Sequence, residues 1–292
     1  MKLEKGFYTA LGTPLDSKGN LVASSLEEHI EMQINAKASG LLLLGSMGIE
    51  AYVKNCAYKD AVKVGASANN GRLPFFVGVM DNSIAKVMER IEMIDGSKID
   101  GVVLTTPFYS KVGLLELANW FSTVATLSPY PLYLYDLPVV TKLKITLPLI
   151  DKLINHPNIV GIKSADWELL KAIERKYPEK KFECLYSGLD NFDYANMIGL
   201  DKNLDGMFSC CPVTTRTFFD KINEKDFIGA RKYLDKILNL RDTMIGFGLS
   251  YSFTYCMNEI GLKGNFHKDY SLPITEENKV ILKNLLKDMK EI

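Results

Sequence analysis

One lysine stands where a short apolar run ends, and it is the side chain here whose position most suggests chemistry. Ile159 to Ile162 precede Lys163, and the run is bounded by His156-Pro157-Asn158 and by Asp166. Such a run is typical of a buried strand. Burial of an ammonium costs its hydration and favours a neutral amine, which can attack a ketone to form a Schiff base. Taken alone, a strand-end lysine whose head reaches water is the more ordinary interpretation.

Two further strand ends carry unusual residues. Gly45-Ser46-Met47-Gly48 follows the apolar run 41–44, and successive N–H groups with the Ser46 hydroxyl can hold a carboxylate. Leu44 excludes a G-x-S-x-G nucleophile elbow, and the segment lacks the Lys-Ser/Thr of a P-loop. Tyr135 closes the run 132–135, and its phenol could pass protons to a bound keto acid. An ordinary turn and a core tyrosine are the alternatives for these two segments.

The elements that must position these residues alternate between strands and helices. Alternation with short connections indicates parallel pairing, and eight such units favour a closed (β/α)8 TIM barrel of class α/β. An open, doubly wound sheet is the alternative, but no phosphate-binding glycine fingerprint follows the first strand. The eight predicted strands are Phe7–Leu11, Leu41–Leu44, Phe75–Val79, Gly101–Leu104, Leu132–Tyr135, Asn158–Lys163, Phe182–Tyr186 and Gly206–Ser209.

Helical stripes replace the strand pattern after about residue 214. Residues 227–238 and 280–289 each carry apolar side chains at helical spacing. We therefore predict a barrel with the Schiff-base site over residues 1–220, and C-terminal helices packed on it over 221–292. Near the N-terminus, Ser24 and Glu27 have the spacing of a helix capping box.

Composition excludes several classes of protein. The 292 residues include 35 basic and 35 acidic side chains, so the zero net charge gives no electrostatic case for nucleic acid or an anionic membrane. No basic-then-apolar leader opens the sequence, and 41–44 is too short to span a bilayer. We expect a soluble cytoplasmic protein. The five cysteines and three histidines show no metal-ligand spacing, so no metal is expected.

The order and spacing of seven motifs resemble one family over nearly the whole chain: the pyruvate-dependent class I aldolases typified by N-acetylneuraminate lyase and dihydrodipicolinate synthase. The motifs are Thr9-Ala10-Leu11 with Thr13-Pro14, Gly45-Ser46-Met47-Gly48, Thr106-Pro107-Phe108-Tyr109, Tyr135-Asp136-Leu137-Pro138, Gly161-Ile162-Lys163, Ser187-Gly188-Leu189-Asp190 and Gly206-Met207-Phe208-Ser209.

The resemblance implies a role for each matching residue. Lys163 would form the Schiff base, Tyr135 would shuttle protons, and Tyr109 would match a tyrosine often contributed across a subunit interface. Ser46 and the N–H of Met47 would hold the pyruvyl carboxylate, and the Phe208 carbonyl would orient the lysine. The positions that bind the hydroxylated tail of sialic acid in the lyases would be Gly188, Asp190 and Ser209. The resemblance also implies a (β/α)8 barrel, assembly as a homotetramer, and catalysis without a metal or an organic cofactor.

Departures from the family's patterns separate its two branches. Dihydrodipicolinate synthases have an arginine five residues after the tyrosine, where this chain has Val140, which cannot pair with a carboxylate. Two features are closer to those of the lyases. One is the Gly-Ser start of the loop Gly45–Gly48, which would hold the carboxylate and is called the cradle below. The other is the Tyr-x-x-Pro-x-aliphatic-Thr pattern. The lyases, however, usually have threonine at the positions of Met47 and Ala165 and an Asp-Glu pair where this chain has Asp190-Asn191. Glu50 also comes one residue later than the usual glutamate.

The sequence thus favours a lyase that cleaves a 2-keto-3-deoxy sugar acid, N-acetylneuraminate or a relative, to pyruvate and an aldehyde. Two alternatives stay open. One is a condensation or dehydration of the dihydrodipicolinate synthase type, and the other is a keto-acid-binding protein without turnover, suggested by Met47 and Ala165.

Overall fold

Eight parallel strands close into a barrel in the computed structural model, which describes residues 2–292. Each strand pairs with the next along the chain, and β8 pairs with β1. The predicted (β/α)8 barrel with a C-terminal helical extension is therefore confirmed. The strands are β1 (Gly6–Ala10), β2 (Gly40–Leu43), β3 (Phe75–Gly78), β4 (Gly101–Thr105), β5 (Leu132–Asp136), β6 (Ile159–Ser164), β7 (Glu183–Tyr186) and β8 (Lys202–Asp205).

Within residues 2–292, twelve α-helices surround and extend the barrel. Those that connect the strands are α1 (Ala23–Asn35), α2 (Asn55–Asn69), α3 (Ile84–Glu92), α4 (Leu114–Leu127), the short α5 (Pro138–Thr141), α6 (Leu147–Leu153), α7 (Trp167–Lys176) and α8 (Phe192–Met197). The chain then continues through α9 (Pro212–Asn223), α10 (Phe227–Phe247), α11 (Leu249–Glu259) and α12 (Glu276–Met289). Within the described residues, the helices include none with the length and apolar character that a membrane crossing requires.

The strands bury both of their faces, as the near-continuous apolar runs predict. One set of side chains fills the barrel interior, and the alternate set packs against the surrounding helices. Glycines make room inside for two tyrosines: a Cβ at Gly101 or Gly161 would lie 2.9 or 2.7 Å from the ring of Tyr133, and one at Gly40 would lie 2.5 Å from that of Tyr8. The interior is thus a packed core.

The last strand was placed wrongly from the sequence. β8 is the polar segment Lys202–Asp205, and most of the predicted Gly206–Ser209 forms a single 3-10 turn beyond it. The polar side chains are tolerated because each finds a partner: Lys202 pairs with Glu183 at 2.9 Å, and buried Asn203 bonds the Leu200 carbonyl and the Asn196 amide. A search for apolar runs cannot recognise such a strand.

Two other local predictions also differ from the structure. Val22 is the N-cap of α1 and no side chain caps that helix, so the capping box from Ser24 to Glu27 is wrong. The helix expected from about residue 51 begins at Asn55, after a 3-10 turn over Glu50–Tyr52. Ile49 enters that turn with a φ of 48°, a left-handed conformation that is unusual for a β-branched residue.

Candidate active site

Lys163 and Tyr135 are neighbours at the carboxyl ends of β6 and β5. The two residues are paired in the strand register, both side chains point into the barrel, and they are 5% and 3% exposed. The lysine Nζ lies 4.2 Å from the centre of the tyrosine ring. The strand alternation that places Tyr133 in the interior also places Tyr135 there, two residues nearer the mouth. A buried amine and a phenol therefore share one small volume.

The loop after β2 brings Ser46 to the same place. Its hydroxyl lies 3.1 Å from the Tyr135 hydroxyl, so one of the two donates to the other. Within residues 2–292, the amides of Ser46, Met47 and Gly48 donate to no other group of the chain. The Gly48 carbonyl is held by the Thr13 hydroxyl at 2.7 Å. A hydroxyl and free N–H groups on a fixed loop can hold a carboxylate.

A buried carboxylate that the sequence search did not select ties the two strand ends together. Asp136, 3% exposed, accepts from the Ser164 hydroxyl at 2.9 Å and from the Ile145 amide at 2.9 Å. Asp136 directly follows Tyr135, and Ser164 directly follows Lys163. The hydrogen bond between Asp136 and Ser164 therefore fixes the position of the phenol relative to the amine. The sequence did contain a signal for this contact, because Asp136 and Ser164 each come one position after a candidate site residue.

The Phe208 carbonyl lies at the end of a buried polar chain. It accepts from the amide of Gln33 at 3.3 Å, and the oxygen of Gln33 accepts from the Thr9 hydroxyl at 2.8 Å. Asp205 precedes this turn, and burial raises the pKa of its carboxyl. The Met207 amide and the charge of Lys163 act in the opposite direction. The Asp205 carboxyl is thus close enough to Lys163 to sense its charge.

The three residues expected to bind a hydroxylated tail are engaged within the protein. Asp190 makes a two-point ion pair with Arg241 at 2.7 and 2.9 Å, and Arg241 lowers the pKa of its carboxyl. The Ser209 hydroxyl is fully buried and donates to the Ala10 carbonyl at 2.9 Å. Gly188 has the Tyr186 hydroxyl against it, in the space that a Cβ would fill. These polar groups are already paired.

The structure does not bring Tyr109 to the cluster. Its side chain is 90% exposed, while its amide donates to the Asn82 side chain at 3.0 Å. The Met47 side chain instead lies against the turn after β8, because a Cβ at Gly206 would come 2.6 Å from its Cγ. The Met47 thioether therefore serves packing, and its backbone amide is the part of the residue that could donate to a ligand.

A cavity of about 210 Å³ opens beside the Ser46 hydroxyl. Of its lining residues, sequence analysis gave a binding role only to Ser46. Phe108, Leu137 and Thr141 were parts of quoted motifs without a role, and Glu50 and Val140 were noted as departures. No sequence signal pointed to Lys268, which comes from beyond α11. The lining residues are Ser46, Ile49, Glu50, Ala51, Tyr52, Met80, Thr105, Phe108, Leu137, Val140, Thr141 and Lys268.

The donor set suits a keto acid: an amine for the ketone carbon, a phenol for proton transfer, and N–H and O–H groups for the carboxylate. For the part of the chain that the structure describes, three or more His, Cys, Asp or Glu side chains are nowhere grouped so as to hold a metal ion.

Comparison with known proteins gives relatives of two activities. A 4-hydroxy-tetrahydrodipicolinate synthase of Methanococcoides burtonii is 26% identical over 288 residues, 98% of this chain and 98% of the relative. An N-acetylneuraminate lyase of Clostridium perfringens is 23% identical over 277 residues, 94% of this chain and 95% of the relative. Both alignments span nearly the full length.

Solved structures share the fold. The protein CdNal of Clostridium difficile, in complex with mannosamine, superposes with a TM-score of 0.87 at 21% identity, covering 98% of this chain and 99% of that one. A prophage protein of the dihydrodipicolinic acid synthase family from E. coli K12, in complex with pyruvate, gives a TM-score of 0.87 at 21% identity, covering 99% of each chain. The model of the dihydrodipicolinate synthetase family matches residues 3–289, and the chain therefore belongs to that family of pyruvate-dependent class I aldolases and synthases.

Proposed function

We propose that this protein is a Schiff-base lyase that cleaves a 2-keto-3-deoxy sugar acid, of the N-acetylneuraminate type, to pyruvate and an aldehyde. The observation that carries the proposal is the buried Lys163 amine beside the Tyr135 ring, with the Tyr135 hydroxyl bonded to Ser46. A lysine amine in its neutral form is a nucleophile toward a ketone, and the amides of Ser46, Met47 and Gly48, which donate to no group within residues 2–292, suit the adjacent carboxylate.

The reaction begins when the neutral Lys163 amine adds to C2 of the keto acid and water leaves. Tyr135 gives up its phenol proton in this step, so that a protonated imine and a tyrosinate result. The imine accepts the electron pair of the C3–C4 bond as that bond breaks. The proton of the C4 hydroxyl passes to the tyrosinate, the aldehyde departs, and an enamine stays on the lysine. Tyr135 then protonates C3, and addition of water to the imine releases pyruvate, restores the amine and returns a proton to Tyr135. Each step uses groups of the chain, water and the substrate, with no metal or organic cofactor.

Condensation of the dihydrodipicolinate synthase type is a second candidate, favoured by the relative from Methanococcoides burtonii. It uses the same enamine but requires recognition of a second carboxylate. Val140, 56% exposed, occupies the position of the arginine in synthases, and its side chain has no hydrogen-bond donor. A coupled assay with aspartate semialdehyde separates the two candidates. Pyruvate binding without turnover of any sugar acid would favour the third interpretation, a keto-acid-binding protein.

The proposed mechanism is tested by incubation with pyruvate and borohydride, followed by peptide mass spectrometry. We expect a reduced adduct on Lys163 and its loss in Lys163→Met. Lys142→Met is a matched control, because Lys142 is exposed and donates only to the Val139 carbonyl at 2.8 Å. An unmodified Lys163 peptide would rule out the mechanism. A panel of 2-keto-3-deoxy acids with pyruvate detection then identifies the substrate.

We further propose a homotetramer in which Tyr109 of one subunit reaches the site of another. The 90% exposure of its ring in a single chain supports this, because a large aromatic side chain is costly to leave in water. Sedimentation equilibrium tests the assembly. Mixing Tyr109→Phe with Lys163→Met chains tests whether one site draws on two subunits, since mixed oligomers would then regain activity.

A further inference from the structure

The cavity of about 210 Å³ adjoins the groups proposed to handle the keto acid. Ser46 lines it and bonds Tyr135. Thr105 also lines it, and the strand register places Thr105 directly opposite Tyr135. A ligand in this cavity would therefore touch the phenol's immediate neighbours.

Two buried polar side chains on the cavity wall have no hydrogen-bond partner among the described residues. They are the hydroxyl of Thr105 and the carboxyl of Glu50, each 1% exposed. Arg90 approaches one Glu50 oxygen at 2.9 Å, yet burial still raises the pKa of this carboxyl to about 8. Buried polar groups are rarely left unpaired without reason. Both groups could bond a polar substrate atom.

Lys268 brings a cation to the same cavity. Its ammonium lies 5.0 Å from the ring centre of Tyr52 and 5.8 Å from that of Tyr270. Within residues 2–292, no carboxylate lies within 4.0 Å of it. Two aromatic faces hold the charge in place without neutralising it. An anionic group in the cavity would supply the missing partner.

The size of the cavity limits what can enter. Its 210 Å³ is below the roughly 300–1,000 Å³ of typical small-molecule sites. On the other side of the mouth, Asp190 and Ser209 are already bonded to Arg241 and to the Ala10 carbonyl. The small volume and the internal pairing of Asp190 and Ser209 favour a short aldehyde over a bulky N-acetylated hexose.

We propose that this cavity receives the aldehyde half of the substrate, and that this half is a short chain whose terminal carboxylate or phosphate binds Lys268. The proposal rests on the Schiff-base lyase function above and replaces its N-acetylneuraminate-type substrate with a 2-keto-3-deoxy acid that ends in a short anionic chain. Thr105 and Glu50 then bond the polar atoms between the carbonyl carbon and the terminal anion. Lys268 is a specificity residue, because it discriminates between charged and neutral aldehydes without touching the keto acid.

The test runs the reaction in the synthetic direction with pyruvate and paired aldehydes. Glyceraldehyde 3-phosphate is compared with glyceraldehyde, and succinic semialdehyde with butanal, so that phosphate and carboxylate are distinguished. N-acetylmannosamine serves as the bulky aldehyde. We expect kcat/KM to favour one anionic aldehyde over its neutral partner by about tenfold or more, and to be lowest for N-acetylmannosamine.

Variants assign the preference to the lysine. Lys268→Met should lose the preference for the anionic aldehyde, because its KM for that aldehyde rises. Its KM for pyruvate and its borohydride adduct should stay unchanged. Lys268→Arg should restore the preference. Lys142→Met is the matched control and should retain it. An adduct on Lys163 together with turnover that shows no charge preference, or with a preference that is kept in Lys268→Met, would overturn this inference alone. An adduct without turnover of any aldehyde would overturn both this inference and the lyase function, in favour of a keto-acid-binding protein. Absence of the adduct would overturn the lyase function as well.

Discussion

Replacement of Tyr135 by phenylalanine removes one oxygen from the centre of the proposed mechanism. The ring beside Lys163 is kept, at 4.2 Å from the Nζ, and only the bond to the Ser46 hydroxyl at 3.1 Å is lost. A positioned acid–base group contributes roughly 10²–10⁴-fold to a rate. The loss of one hydrogen bond costs about 1 kcal/mol of folding free energy. Tyr135→Phe should therefore lose most of its proton transfer while it remains folded.

Proton exchange at the pyruvate methyl group measures this loss without knowledge of the aldehyde. In deuterium oxide, formation of the enamine replaces the methyl protons, and proton NMR follows the decrease of their signal. We expect Tyr135→Phe to exchange these protons about a hundredfold or more slowly than the unchanged protein. Because the lysine is intact, borohydride should still trap pyruvate on Lys163.

Tyr133→Phe is the matched control for this experiment. Tyr133 lies on the same strand and the same interior face, two residues deeper, and is 2% exposed. It should change thermal stability by a similar small amount and leave the exchange rate within about threefold of the unchanged protein. Exchange that survives in Tyr135→Phe, or that falls equally in Tyr133→Phe, would refute the assignment of the proton shuttle.

Three further substitutions test the support of the site and of the fold. Ser164→Ala removes a donor from buried Asp136 and should lower the free energy of unfolding in urea by about 1–3 kcal/mol, with a larger fall in kcat than in pyruvate affinity. Gly78→Ala places a Cβ against the Leu44 carbonyl oxygen, so the cradle must shift, and borohydride trapping should need much more pyruvate. Burial lowers the pKa of His29 from 6.5 to about 3, so its neutral form stabilises the fold fully above pH 6.5 and this contribution is lost as the pH falls toward 3. His29→Phe should flatten the pH dependence of the unfolding free energy between those values, and an unchanged slope would contradict the assignment.

The sequence predicted the parts of the fold whose pattern is local. Seven of the eight strands were found within one or two residues, because parallel strands covered on both faces are read as apolar runs. β8 was missed because Lys202 and Asn203 are paired by residues distant in the chain or by loop carbonyls, which no local pattern shows. The capping box failed for the same reason, since spacing alone does not fix the backbone geometry of a cap.

For the candidate site, sequence alone determined which residues stand at strand ends. A parallel barrel gathers all such ends on one rim, so Lys163, Tyr135 and Ser46 were expected to be close, and they are. Tertiary structure alone decided which groups are already occupied and which are free. It pairs Asp190 with Arg241, and it brings Lys268 from beyond α11 to a cavity beside Ser46. Such contacts join positions far apart in the chain, and hydrogen bonding and burial are properties of neighbours in space that residue spacing does not contain.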